Sequence, residues 1–217
     1  MSLRILLADD HRIMREGLRS LLEKLPGMEV IAEADNGRTT VQLSRKLKPD
    51  VVVMDIAMPD LNGIEATRQI VTETPSVKVT ALSMLSDTKF VREMLSAGAS
   101  GYLLKDSAFE ELGNALHTVM KNQTYLSPKI ASLVVKDYLG TLLIKDSSVA
   151  PVLTNREREI IQLFAEGKTT KEIASCFSLS IKTIETHRKR IMDKLGFSSI
   201  AELTKYAIRE GLTSLNT

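Results

Sequence analysis

Val51-Val52-Val53-Met54-Asp55 is apolar at four consecutive positions and then stops at a carboxylate. A strand covered on one face alternates apolar and polar residues; a strand covered on both faces does not, so this run reads as the centre of a parallel sheet. Three further runs share its grammar. Ile5-Leu6-Leu7-Ala8 stops at Asp9-Asp10, Val79-Thr80-Ala81-Leu82 at Ser83, and Tyr102-Leu103-Leu104 at Lys105. Strands are expected at about 3–8, 28–33, 50–54, 77–82 and 101–104, and helices at about 12–24, 37–47, 63–73, 87–97 and 108–121. Pro26-Gly27, Asn36-Gly37, Pro49-Asp50, Asn62-Gly63 and Pro75-Ser76 separate them. Strict alternation of strand and helix implies an α/β fold, a doubly wound five-stranded parallel sheet with helices on both faces.

In such a sheet ligands bind outside the carboxyl ends of the strands. The residues that end the four runs would therefore meet there: three carboxylates, a hydroxyl and a lysine. A carboxylate can be a nucleophile toward phosphorus, and Asp55 stands alone at the end of the most apolar run. Asp9 and Asp10 then suit Mg2+, which takes one or two carboxylates and phosphate oxygens. Lys105 would offset the crowded negative charge, and Ser83 could donate to a phosphate oxygen. The account needs these side chains close together and Asp55 open enough to meet a donor.

Beyond residue 126 the chain changes character. Ser127-Pro128 opens a helix expected to reach about Leu139, and Lys145-Asp146-Ser147-Ser148 with Pro151 reads as an exposed linker. From Thr154 the pattern is helical throughout. Thr154 with Glu157, Thr169 with Glu172 and Ser199 with Glu202 have capping-box spacing, and Ser180 can cap without a matching glutamate. Apolar residues follow at helical spacing: Ile160, Ile161, Leu163 and Phe164, then Ile173, Ala174 and Phe177, then Ile181, Ile184, Ile191 and Leu195. Two short helices joined by Ser178-Leu179-Ser180 make a helix-turn-helix. The expected division is 1–124, a partly helical linker at 125–152, and 153–217.

Charge follows the same division. The 217 residues carry a net +2, but residues 1–126 hold 15 basic and 17 acidic side chains (net −2), and residues 127–217 hold 14 and 10 (net +4). A polyanion partner therefore belongs to the second half. Between Lys182 and Lys194 five basic residues oppose Glu185 and Asp193. With Ile184 and Ile191 inward, Lys182, Glu185, Thr186 and Lys189 share the outer face. The single cysteine, Cys176, excludes an intramolecular disulfide and is expected to be a buried thiol. No apolar stretch reaches the ~18 residues of a membrane span, and Asp9-Asp10 cuts short the apolar N-terminus; a cytoplasmic protein is expected.

These residues resemble the receiver domain of a two-component response regulator, and the whole chain resembles the NarL/FixJ family. The resemblance rests on Asp9-Asp10, Met54-Asp55-Ile56-Ala57-Met58-Pro59-Asp60, Ser83, Tyr102 and Lys105. In the second half it rests on Leu153-Thr154-Asn155-Arg156-Glu157-Arg158-Glu159, Lys171-Glu172-Ile173-Ala174 and Lys182-Thr183-Ile184-Glu185-Thr186-His187, which look like a LuxR-type DNA-binding domain. It implies that Asp55 is the phosphoacceptor. Asp9, Asp10, Asp55 and the Ala57 carbonyl would hold Mg2+, Ser83 and Tyr102 would form the switch pair, and Lys105 would pair with the phosphoryl group. It further implies a sensor histidine kinase, double-stranded promoter DNA and a homodimer when phosphorylated or DNA-bound. Glu185, Thr186 and Lys189 would read bases; Lys182, Thr183, Arg188 and Arg190 would contact phosphates. Many receivers follow the lysine with proline, whereas Asp106 stands here, so no cis peptide is expected.

Other readings fare worse. A haloacid-dehalogenase-type phosphatase wants a second acid two residues after the nucleophile, and Ala57 is there; the chain is not expected to be a dedicated enzyme, any autodephosphorylation being slow. Gly167-Lys168-Thr169 lacks the earlier glycine of a phosphate-binding loop, position 162 being Gln162. His11, His117 and His187 are dispersed, with His11 at a helix start and His187 expected to pack at the back of the recognition helix.

Overall fold

The computed structural model describes residues 2–84, 86–143 and 153–213. The chain divides into two compact units, the first built from Met1–Met58 and Asn62–Asp146, the second chiefly from Ser147–Thr217.

The first unit alternates β1 (Leu3–Ala8), α1 (Arg12–Leu22), β2 (Met28–Ala34), α2 (Gly37–Leu47), β3 (Val51–Met54), α3 (Gly63–Glu73), β4 (Lys78–Ser83), α4 (Thr88–Ser96), β5 (Gly101–Leu104) and α5 (Ala108–Met120). Two elements follow, β6 (Tyr125–Leu126) and α6 (Pro128–Leu143). All strand pairs are parallel, in the order β2-β1-β3-β4-β5-β6. The register aligns the strand ends: Ala8 pairs with Met54, Met54 with Ala81, and Ser83 with Leu104. Hydrogen bonding continues one step past the strands, with Asp55 N–H donating to the Ala8 carbonyl (2.8 Å) and Lys105 N–H to that of Ser83 (3.0 Å). Val51 to Met54 are buried on both faces, as their unbroken apolarity requires.

The sheet has six strands rather than five. β6 is only two residues long, too short to leave a periodic signal, and it pairs at the open edge of β5. Ser127 N–H continues that edge by donating to the Tyr102 carbonyl, and α6 begins there, with Ile130 fully buried. Residues 125–143, assigned to a linker on sequence, are thus part of the first unit. α6 also runs past Leu139 and Gly140 to Leu143. The linker residues Lys145-Asp146-Ser147-Ser148 and Pro151 lie outside the described residues. No described peptide bond is cis.

The second unit is helical: α7 (Asn155–Ala165), α8 (Thr170–Phe177), α9 (Ile181–Leu195) and α10 (Ile200–Arg209). Both halves of the capping box form at Thr154/Glu157, Thr169/Glu172 and Ser199/Glu202, and Ser180 accepts from Thr183 N–H at the start of α9. Each cap satisfies backbone donors that would otherwise lack partners at the helix start. The core joins Ile160, Ile161, Leu163 and Phe164 to Ile173, Ile184, Ile191, Leu203 and Ala207. Two apolar residues depart from their expected places. Ile181 is exposed at the first position of α9. Cys176 is exposed because it lies roughly 100° around α8 from the stripe that Ile173, Ala174 and Phe177 bury.

Candidate functional site

β1 lies between β2 and β3, so the crossovers leave it in opposite directions and open a crevice at the carboxyl ends of β1 and β3. Asp9 and Asp55 emerge at this crevice, and Lys105 reaches it from the end of β5. The lysine Nζ lies 2.6 Å from Asp9 Oδ2 and 2.8 Å from Asp55 Oδ2. Asp55 Oδ1 accepts from Ile56 N–H (2.7 Å), and Asp9 Oδ1 accepts from His11 N–H (2.9 Å). Asp9, Asp10, His11 and Asp55 each bring one potential ligand atom within 4.8 Å of the others.

The charges do not balance. Ionised, Asp9, Asp10 and Asp55 carry −3 against the +1 of Lys105, a net −2 that a divalent cation would neutralise. The donors are predominantly carboxylate oxygens, which suit a hard cation such as Mg2+. Burial raises the Asp55 carboxyl above the ordinary carboxylate range; Lys105 pulls the other way, and Asp9 adds to the rise. Burial would depress Lys105, but its interactions with Asp55 and Asp9 outweigh that and hold it up as an ammonium.

Asp55 exposes only 3% of its surface, less than the sequence reading needs for an acceptor. The cluster meets water through Asp10 and His11, whose side chains are 27% and 69% exposed. His11, set aside on sequence, belongs to this group: its Nδ1 lies 2.7 Å from Asp10 Oδ1 and 3.3 Å from Asp9 Oδ1. Its position directly after the acid pair was the available signal. Ala57 is half-buried on the bend that follows Asp55.

Ser83 and Tyr102 sit on the neighbouring strands β4 and β5. The Tyr102 ring is fully buried, and its hydroxyl is hydrogen-bonded to Ser83. Burial drives the phenol well above its usual value, so it remains protonated and able to donate.

In the second unit Ser178 takes a left-handed conformation (φ 54°) that ends α8 and turns the chain into α9. Lys182, Glu185, Thr186, Lys189 and Arg190 are exposed on α9, and Thr183 and Arg188 are half-buried. The Thr186 hydroxyl donates to the Lys182 carbonyl (2.9 Å), which leaves its methyl as the outward group. The Arg188 guanidinium lies 5.9 Å over the Phe164 ring. His187, expected to pack at the back of the helix, is half-buried. It borders a surface hollow of about 360 Å³ with Ser180, Lys182, Thr183, Thr186 and Arg190.

Both halves have relatives. Residues 5–117 match the response regulator receiver domain, and residues 151–207 match the bacterial regulatory proteins of the luxR family. The chain belongs to the LuxR-type response regulators. This response regulator is 40% identical to the transcriptional regulatory protein LiaR of Bacillus subtilis over 98% of its own length and 100% of LiaR. It is 35% identical to the response regulator GacA of Pseudomonas aeruginosa, over 97% of each chain. Among solved structures, RcsB, determined as two dimers bound to two parallel DNAs, superposes with a TM-score of 0.61 at 29% identity, covering 95% of this chain and 98% of RcsB. A LuxR-family response regulator from Aurantimonas sp. SI85-9A1 gives 0.62 at 37% identity, over 64% of this chain and 99% of that one. The response regulator thus joins a receiver domain to a LuxR-type DNA-binding domain that regulates transcription. Among its described residues no helix is long and apolar enough to cross a membrane.

Proposed function

We propose that this response regulator accepts a phosphoryl group on Asp55 from a sensor histidine kinase, with Mg2+ required. Phosphorylation then alters how its C-terminal helices engage double-stranded promoter DNA. One observation carries the reading: a buried ammonium lies between Asp9 and Asp55 beside further carboxylate oxygens. Asp9, Asp10 and Asp55, with the Ala57 carbonyl, would hold the cation, which when bound neutralises charge on the phosphoryl oxygens and the carboxylates.

The chain's own groups supply the rest. An Asp55 carboxylate oxygen forms the new O–P bond as the P–N bond to the kinase imidazole breaks, and the imidazole nitrogen leaves with the electron pair. Lys105 is already beside that oxygen and offers N–H donors to the arriving group. The Tyr102 hydroxyl can donate to Ser83, which leaves the serine proton for a phosphoryl oxygen. Tyr102 is packed inward, the arrangement that this reading gives the phosphorylated receiver, so new phosphoryl contacts with Ser83 and Lys105 would favour it. The low exposure of Asp55 means that transfer requires a local opening on the Asp10 and His11 side.

Asp55→Asn is expected to abolish incorporation of labelled phosphate from an acyl-phosphate donor or a kinase, and label retained on that variant would overturn the assignment. Chelation of divalent cations is expected to block labelling of the native chain.

For DNA, Glu185, Thr186 and Lys189 are the base readers, and Lys182, Thr183, Arg188 and Arg190 are the phosphate contacts that the sequence reading offers. The match to a luxR-family domain and the likeness to DNA-bound RcsB support this reading. A homodimer on DNA would set two recognition helices about one helical turn apart, and both partners place the protein in the cytoplasm. Lys189→Ala is expected to weaken binding to a promoter fragment, measured by a salt-dependent gel shift. The chain is not a dedicated enzyme on this reading, so a generic phosphomonoester should show no steady hydrolysis.

A further inference from the structure

Three groups compete for the backbone phosphates beside α9, and their surroundings separate them. Arg188 lies on the flank facing α7, with its guanidinium over Phe164. The hydroxyls at the start of the helix are engaged locally: Ser180 Oγ and Thr183 Oγ1 are 2.8 Å apart, and Thr186 Oγ1 donates to the Lys182 carbonyl. His187 stands on the other flank. It follows Thr183 by four residues and precedes Arg190 by three, a spacing that puts all three on one stripe of the helix. Lys182, His187 and Arg190 border the same hollow, and none of their side chains makes a hydrogen bond or ion pair with another described residue.

We propose that His187 is a DNA contact, donating an imidazole N–H to a backbone phosphate seated in this hollow beside Arg190. The inference rests on the DNA-binding reading above and reassigns one residue within it, since His187 takes a place that sequence reasoning gave to Arg188. A neutral imidazole carries one N–H donor and no charge. Its contact adds affinity without displacing a counterion, whereas a lysine or arginine on a phosphate does displace one. Contacts to phosphate position the helix on any sequence and do not select among bases. His187 should therefore strengthen binding to all duplexes alike.

The test uses the full chain with Mg2+ and an acyl-phosphate donor, and fluorescence anisotropy with a promoter duplex and a mixed-sequence duplex across a salt series at mildly alkaline pH. His187→Ala is expected to weaken both duplexes by about three- to tenfold, the range of one lost hydrogen bond. Its salt slope should match the native chain, while Arg190→Ala should flatten the slope by about one ion. His187→Gln, which keeps an N–H donor, should recover most of the loss. Native affinity in His187→Ala would overturn the assignment. So would an equal loss in both His187 variants with a lowered melting temperature, which would mark a packing role. A native chain that binds neither duplex would refute the DNA-binding reading itself, and the contact with it.

Discussion

Lys105 holds apart two carboxylates that would repel each other at the mouth of the sheet. Its side chain is 5% exposed, and its partners Asp9 and Asp55 are buried slightly more deeply still. Removing one member of a buried ion pair leaves the others unpaired and costs on the order of 3 kcal/mol. Lys105→Met is therefore expected to lower the denaturant midpoint in metal-free buffer, with millimolar Mg2+ restoring part of the loss. An unchanged midpoint would show that the ammonium balances no buried charge. The sign of the pH dependence also follows at this scale. Asp55 has its carboxyl raised by burial against Lys105, so its ionisation disfavours the folded state as pH climbs through the raised value. Lys105→Met removes the opposing cation and should move that step higher, readable in the carboxyl carbon shift of Asp55. Gly63 is constrained for a different reason. A Cβ there would overlap the Asp55 backbone carbonyl oxygen. Gly63→Ala must push the start of α3 away from β3, at a cost of about 1–3 kcal/mol, and should slow labelling of Asp55 as well.

At the scale of elements, α7, α8 and α10 of the second unit are held at their starts by carboxylates. Glu172 is lowered by its bonds with Thr169, and Glu202 by bonds from the Ser198 and Ser199 backbone and hydroxyls. Burial would raise Glu157, but bonds from Lys194 and Thr154 together outweigh it and bring it below its ordinary value. A carboxyl lowered by folding contributes stability that is present above its unfolded value, here 4.5, and is lost as pH falls through the folded value. Helical circular dichroism should therefore decline below pH 4.5. Glu202→Gln should make that acid transition less steep, and identical acid curves would contradict the cap's contribution. Thr154→Ala should cost about 1 kcal/mol at neutral pH. These caps were legible in the sequence because S/T-x-x-E is a local signal. Burial around each helix was less so. The apolar stripes of α8 and α9 are right in period, but Ile181 projects past the core and Cys176 lies beside the stripe. Periodicity gives the direction of a stripe, and its edges depend on which neighbours arrive.

On the scale of the whole molecule, each unit has apolar packing of its own beneath a separable job, around Ile5, Val51 and Leu103 in the first and around Ile161, Ile184 and Leu203 in the second. Ile184→Ala is expected to cost the second unit about 2–5 kcal/mol. Calorimetry should show one transition shifted down, with labelling of Asp55 unaffected; loss of labelling would mean that the units do not fold independently. Alternation of strand and helix, the strand ends at Asp9, Asp55, Ser83 and Lys105, the capping boxes and the basic helix could all be read along the chain, since each is written within a few consecutive residues. The burial of Asp55 could not, nor could the sixth strand that draws α6 into the first unit, and the meeting of Lys105 with Asp9 and Asp55 and the inward Tyr102 followed only from an assumed sheet and a family resemblance. Those depend on residues separated by tens of positions meeting across parallel strands. Strand order and register govern such meetings, and no local pattern encodes them.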